Sequence, residues 1–203
     1  MGYQLKDSYY RRAKKEGFRS RAAYKLQELN RSYRLIGLGN RVLDIGAAPG
    51  GWMQVASKLV GPKGKVIGVD LQPMSPFKES NIILIQGDIR DEATQAEIRH
   101  HLGGTADCVL SDLSPRLSGI HDADVSRSVE LARTALQVAC SLMRPGANFV
   151  VKTFIGEETT SFFKQLQSYF ESVHRTRAEA TRKHSSEIYL IGKRFRRPDG
   201  GWS

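Results

Sequence analysis

Short apolar runs alternate with helix-patterned stretches along almost the whole chain, and this restricts the fold more than any other feature. RVLDI, KVIGVDL, NIILIQGD, ADCVLSDL, ANFVVKTF and EIYLIGKRF are rich in Val, Ile and Leu and mostly lack polar alternation. Strands of that composition belong to sheets covered on both faces. GWMQVASKLV, DEATQAEIRHHL, DVSRSVELARTALQVACSLM and EETTSFFKQLQSYF lie between them, with apolar residues at the helix period. Leu131, Leu136, Val138, Ala139 and Leu142 form one such stripe. Ahead of the first strand, RSRAAYKLQELN adds a helix with Ala22, Ala23, Leu26 and Leu29 on one face. The order predicts an α/β domain with a mainly parallel sheet. Open sheets of this kind bind ligands beyond the carboxyl ends of their strands.

The chain has 203 residues, enough for one domain with a full core. The expected layout is a basic helical segment over 1–35, a core over 41–195 and a tail over 196–203. No apolar run reaches about 18 residues, so no membrane span is expected. The N-terminal MGYQLKDSYYRRAKKEG has no apolar signal core and reads as part of a mature, cytoplasmic protein. Cys108 and Cys140 lie in apolar contexts, as buried thiols of a reducing compartment do. His100, His101, His121, His174 and His184 lack neighbours at ligand spacing, so no metal is expected.

A net charge of +10 favours a polyanionic partner. Arg11, Arg12, Lys14, Lys15, Arg19, Arg21 and Lys25 crowd one end of the chain, and Lys193, Arg194, Arg196 and Arg197 the other. The two groups make one face if the termini fold together. Tyr9, Tyr10 and Phe18 are interleaved with the first group and are placed to stack bases, although Phe18 suits the core equally well.

The turn DIGAAPGGW, Asp44 to Trp52, joins the first strand to the next helix. It is neither G-x-G-x-x-G nor a phosphate-binding loop ending in G-K-[ST], and it contains no Lys or Arg. Asp70 ends the second strand, where a carboxylate suits ribose hydroxyls. Gly87-Asp88 follows the third strand and Ser111-Asp112 the fourth. A crevice ringed by Asp70, Asp88 and Asp112 disfavours phosphate and suits a cationic nucleoside, for which S-adenosylmethionine qualifies. The glycines then let backbone approach where no side chain fits. Lys152 stands inside the apolar FVVKTF, and lysine is rarely buried without cause. It is either half of a structural ion pair or a base, with Glu187 and Asp112 on neighbouring strands.

SRAAYKL, LDIGAAPGGW, SDLSP-x-x-SG, VVKTF and SSEIYL, in that order, resemble the FtsJ/RrmJ family of RNA 2′-O-ribose methyltransferases from about Tyr9 to about Phe195. The resemblance implies a Rossmann-like class I methyltransferase fold, with an antiparallel last strand and helices on both faces. It implies S-adenosylmethionine as cofactor, held by Gly46, Gly50, Gly51, Trp52, Asp70, Asp88 and Asp112. The family's catalytic set falls on Lys25, Asp112, Lys152 and Glu187. RNA contacts are expected from Arg11, Arg12, Lys14, Lys15, Arg19, Arg21, Arg194 and Arg196. The loop LSPRLSG departs from the bacterial pattern, and DADVSRSVEL is closer to archaeal members.

The implied substrate is large-subunit ribosomal RNA, a uridine of the peptidyl-transferase A-loop, reached within the subunit by a monomer. A tRNA anticodon loop is the alternative. A non-catalytic RNA-binding protein and a dinucleotide oxidoreductase are less consistent with the Lys-Asp-Lys-Glu set and the glycine turn. The chemistry needs alignment, worth up to about 7–11 kcal/mol, and an acceptor for one proton, worth about 10²–10⁴-fold.

Overall fold

The computed structural model describes residues 8–182 and 185–196. His184, Arg197 and the remainder of the expected tail lie outside the described residues. The helices are α1 (Ser8–Lys15), α2 (Ala22–Tyr33), α3 (Gly51–Val60), α4 (Glu92–Leu102), α5 (His121–Leu142) and α6 (Glu157–Gln167). The strands are β1 (Arg41–Ile45), β2 (Lys65–Asp70), β3 (Ile82–Gln86), β4 (Ala106–Ser111), β5 (Met143–Phe154), β6 (Phe170–Thr176) and β7 (Glu187–Phe195). They form one sheet in the order β3-β2-β1-β4-β5-β7-β6. β1 to β5 pair in parallel, and β7 runs antiparallel between β5 and β6. The expected α/β sheet with an antiparallel last strand is the observed one.

Side-chain parity sorts the strands into two cores, because successive residues of a strand face opposite ways. Leu43, Ile45, Ile67, Val69, Val109, Phe149, Val151, Ile188 and Leu190 pack against α4, α5 and α6. Val42, Val66, Cys108, Leu110, Val150, Tyr189 and Ile191 pack against α2 and α3. That parity sends Asp44, Lys152 and Glu187 toward the face carrying α2, which bears Lys25. α2 is fixed there by buried Ala23, Leu26 and Leu29. The Trp52 indole N–H also donates to Ala22 O at 2.8 Å, stapling α3 to the start of α2.

One expectation needs correction. EETTSFFKQLQSYF is not one helix: α6 stops at Gln167, and Phe170 begins β6, an unexpected strand. β6 pairs only with β7 and turns most of its side chains outward, so it carries no apolar run to read. Its anchor is Phe170, stacked on Phe149 and tilted against Phe195. The basic N-terminal segment holds two helices, parted near Gly17, whose φ of 76° suits glycine. Among the described residues no helix is long and apolar enough to cross a membrane. Cys108 and Cys140 are buried and unpaired. Burial pushes both thiols up, that of Cys140 to about 12, so neither is a nucleophile near neutral pH.

Candidate active site

The carboxyl ends of β4 and β5, the start of β7 and the buried face of α2 bring Lys25, Asp112, Lys152 and Glu187 together. Lys25 Nζ pairs with Glu187 Oε1. Lys152 Nζ lies 3.1 Å from Asp112 Oδ1 and donates to Asp112 O at 2.7 Å. Lys25, Lys152 and Glu187 are each under a tenth exposed. Burial alone would raise the Glu187 carboxyl, but the charge and hydrogen bond of Lys25, then Lys152 and the Tyr189 hydroxyl, hold it below its usual range.

Tyr189 joins the two ion pairs and was not singled out by sequence. Its hydroxyl lies 3.0 Å from both Asp112 Oδ1 and Glu187 Oε1. It has one proton, so it donates to one carboxylate at a time. The ring is fully buried against Trp52, and burial beside Asp112 and Glu187 pushes the phenol well above its usual range. The available signal was register: Tyr189 stands opposite Lys152 across the β5–β7 pair and shares a face with Glu187.

Beside this group a cavity of about 380 Å³ opens between the ends of β1, β2 and β3 and the flank of α5. Gly46, Asp70, Asp88 and Leu113 line it. Three details differ from expectation. Asp112 is not part of the wall: its carboxylate turns to Lys152 and Tyr189, and its neighbour Leu113 faces the cavity. The wall is not purely acidic, because Arg90 and Arg127 also line it. Arg90 is committed to Asp88, whose carboxyl its side-chain and backbone hydrogen bonds hold below the usual range. The glycines, finally, make room for protein as well as ligand. A Cβ on Gly46 would meet Leu113, one on Gly50 would meet Phe77, and one on Gly51 would meet Ser20. Gly50, Gly51 and Trp52 do not line the cavity, and the Trp52 indole is core.

The donor set fits a cationic nucleoside cofactor. Asp70 steadies the glycine turn by accepting from Ala48 N–H at 2.9 Å and Gln72 N–H at 2.8 Å, and each oxygen keeps a lone pair for a ribose hydroxyl. Asp44, 1% exposed beneath the turn, has neither carboxyl oxygen hydrogen-bonded. Burial first, then the charges of Asp112 and Asp70, raise it well above its usual range. An orphaned acid is costly, and an ammonium or sulfonium nearby relieves that cost. A raised folded value means that stability is lost as pH rises from the unfolded value near 4 up to the folded one. Asp44→Asn is therefore expected to raise the melting temperature at neutral pH, flatten that fall and weaken cofactor binding. Thermal melts across pH with a cofactor titration check this, and a lowered melting temperature would contradict it.

The basic residues divide. Arg11, Lys14 and Lys15 are exposed on α1. Arg12 pairs with Glu16 at 2.7 Å and covers the Tyr24 ring. Arg19 is a fastener: it donates to Ser75 O and Pro76 O and stacks on Phe77, 3.4 Å from its ring centre. Arg21 donates to Ala180 O and feels the charges of Arg182 and Glu187. Lys193 caps α2 through Tyr33 O at 2.6 Å. Arg194 pairs with Glu171 at 3.2 Å, and Arg196 is exposed. The second cluster does not share a face with the tetrad. β7 begins at Glu187 and runs away from the site, which puts Arg194 about 23 Å off at strand rise. Exposed Arg182 is the nearer cation and was missed. Tyr9 and Phe18 pack on Tyr24, leaving Tyr10, half exposed, as the free stacking surface of the three.

A doubly wound sheet with an antiparallel strand beside β5, a nucleoside-sized cavity and a buried Lys-Asp-Lys-Glu group together define a Rossmann-like methyltransferase. A solved structure from Plasmodium falciparum assigned as a ribosomal RNA methyltransferase superposes with a TM-score of 0.79 at 31% identity, covering 88% of this chain and 98% of that one. The fold is also shared with Aeropyrum pernix fibrillarin, solved with S-adenosyl-L-methionine, at a TM-score of 0.54 and 18% identity over 86% of this chain and 74% of that one. The FtsJ-like methyltransferase model matches residues 18–195, and the chain belongs to that family. Relatives named ribosomal RNA large subunit methyltransferase E are 49% identical in Methanothrix thermoacetophila, over 96% of this chain and 75% of that one, and 48% identical in Archaeoglobus fulgidus, over 94% and 97%.

Proposed function

We propose that this protein transfers the methyl group of S-adenosylmethionine to a ribose 2′-hydroxyl of large-subunit ribosomal RNA. The observation that carries this is the buried Lys25–Glu187 pair and the Lys152–Asp112 pair, joined by Tyr189, at the edge of the cofactor cavity. When bound, the cofactor supplies an electrophilic methyl carbon. Gly46, Asp70 and Asp88 would hold it from the cavity wall, the backbone of Gly50–Trp52 from the turn, and Asp44 would answer its charge.

Lys152 is the proton acceptor. To accept a proton the amine must first give one up, which leaves it two N–H bonds and one lone pair. Asp112 O accepts one N–H at 2.7 Å and the Asp112 carboxylate lies 3.1 Å from Nζ, so Asp112 turns the amine and the lone pair is the site offered to the incoming hydroxyl. Asp112 thus fixes which way the base faces, and Tyr189 fixes Asp112. Lys25 and Glu187 neutralise each other and place the ribose.

The finer reading follows the resemblance and the relatives' names: a monomer in the cytoplasm, acting within the large subunit on a uridine of the peptidyl-transferase A-loop. Methyl transfer to unmodified large subunits, naked large-subunit RNA and unmodified tRNA tests it. Label on ribosomal substrate alone is expected, and label on tRNA alone would overturn the substrate. RNA contacts are assigned to Arg11, Lys14 and Lys15, with Arg21 and Arg182 nearer Glu187. Binding should weaken with salt at a log–log slope of about −0.7 per phosphate contacted. Replacing Arg11, Lys14 and Lys15 with Ala should make that slope shallower, and an unchanged slope would remove α1 from the interface.

A further inference from the structure

Building on the methyl-transfer reading, we infer that the hollow between the β4–α5 loop, the end of β5 and the start of β7 receives the nucleobase of the nucleotide being methylated. The hollow measures about 250 Å³ and is walled by Leu117, His121, Phe154, Ser185 and Ser186. It abuts the tetrad on two strands: Phe154 is two residues beyond Lys152, and Ser186 directly precedes Glu187. Two strand residues span about 6.5 Å, the order of distance from a 2′-oxygen to the base on the same sugar.

The β4–α5 loop serves both compartments. Leu113 and Pro115 face the cofactor cavity, whereas Leu117 and Gly119 face the hollow. Asp112 begins this loop and holds Lys152. Base catalyst, methyl donor and nucleobase therefore fall in sequence along one loop.

The rim is apolar where a surface normally is not. Leu117 is 66% exposed, Ile120 67% and Ile155 47%, on the two segments that build the hollow. The walls are set in advance. Asp124 accepts from Ser118 N–H and Oγ–H, both at 2.8 Å, and from Gly119 N–H at 3.2 Å. Ile155 N–H donates to Ser186 O at 2.8 Å. Ser185 Oγ accepts from Glu187 N–H at 3.2 Å, which leaves its O–H to donate. An apolar rim with a few polar groups in the walls is what a splayed-out base requires.

The test is a cycle of protein and substrate variants. Large subunits are reconstituted with intact RNA, or with RNA abasic at the nucleotide mapped as the methyl acceptor. Each is assayed with the wild type and with Leu117→Ala/Ile120→Ala. Both replaced side chains are exposed, and unchanged cofactor affinity confirms an intact fold. The variant should lose about tenfold in kcat/KM on intact RNA, the effect of forgoing the partial burial of two apolar side chains against the base, and nothing further on abasic RNA. Equal losses on both RNAs, or wild-type rates that ignore the base, would overturn the inference. No transfer by the wild type to intact subunits would instead overturn the parent reading, and this one with it.

Discussion

Lys152→Ala should lower methyl transfer by about 10²–10⁴-fold while leaving cofactor affinity nearly unchanged. Lys152 is 7% exposed and directed by Asp112, and the other amine of the tetrad, Lys25, is held by Glu187. The cofactor cavity lies beyond Leu113 and does not include Lys152, which is why binding should survive. Lys152→Arg separates two roles that alanine removes together. A guanidinium keeps the positive charge beside Asp112 but does not lose a proton in proteins. If Lys152 acts as a base, arginine should be as inactive as alanine. If it merely supplies charge, arginine should retain much of the rate. Single-turnover transfer and cofactor titration on both variants distinguish these cases, and full activity in either would remove Lys152 from the mechanism.

Breaking the Lys25–Glu187 pair should produce the largest loss of stability. Removing one partner of a buried pair strands the other charge and costs about 3–5 kcal/mol. Lys25→Met leaves Glu187, 9% exposed, with the Tyr189 hydroxyl and Thr181 as its close side-chain donors among the described residues. Glu187→Met leaves the Lys25 ammonium about 5.7 Å from the Tyr189 ring centre, a weak substitute. At about 2–4 °C per kcal/mol for a chain of this size, either single change should lower the melting temperature by roughly 10 °C. The double change Lys25→Met/Glu187→Met should recover most of that loss without recovering activity, since well-packed apolar replacements of buried pairs are often neutral. A double variant as unstable as the sum of the singles would show that the pair is not what holds α2 to β7.

The pair also sets an acid limb. Glu187 is held below its usual range in the folded protein. Its stabilisation is therefore fully present above the unfolded value near 4.3 and is lost as pH falls through the lower folded one. Asp44 acts with the opposite sign, so Glu187 variants should flatten the acid side of the stability profile and Asp44→Asn the side above it.

The central strands were legible because burial on both faces removes polar alternation, as in RVLDI and KVIGVDL. β6 was not, because an edge strand with one buried anchor leaves only Phe170 to see. Motif order marked Lys25, Asp112, Lys152 and Glu187, and strand parity explains why they meet: Lys152 and Glu187 occupy the face that α2 covers. Tyr189 was visible only as another apolar-run residue until pairing placed it opposite Lys152. The arginines were the least legible. Whether a guanidinium meets RNA or the protein's own carbonyls depends on remote backbone, and Arg19 finds its acceptors at Ser75 and Pro76. The far cluster fails for a topological reason, since antiparallel β7 carries Arg194 away from the site that Glu187 begins.

The measurement that bears most directly on ribose chemistry at the tetrad is alkaline hydrolysis of RNA after transfer of labelled methyl to unmodified large subunits. Alkali cleaves a phosphodiester through the adjacent 2′-hydroxyl, so a methyl on that oxygen blocks cleavage. The expected result is label in one alkali-resistant dinucleotide, absent when Lys152→Ala replaces the wild type. Label recovered in a mononucleotide would place the methyl on a base and contradict the assignment of Lys152 as acceptor of a ribose proton.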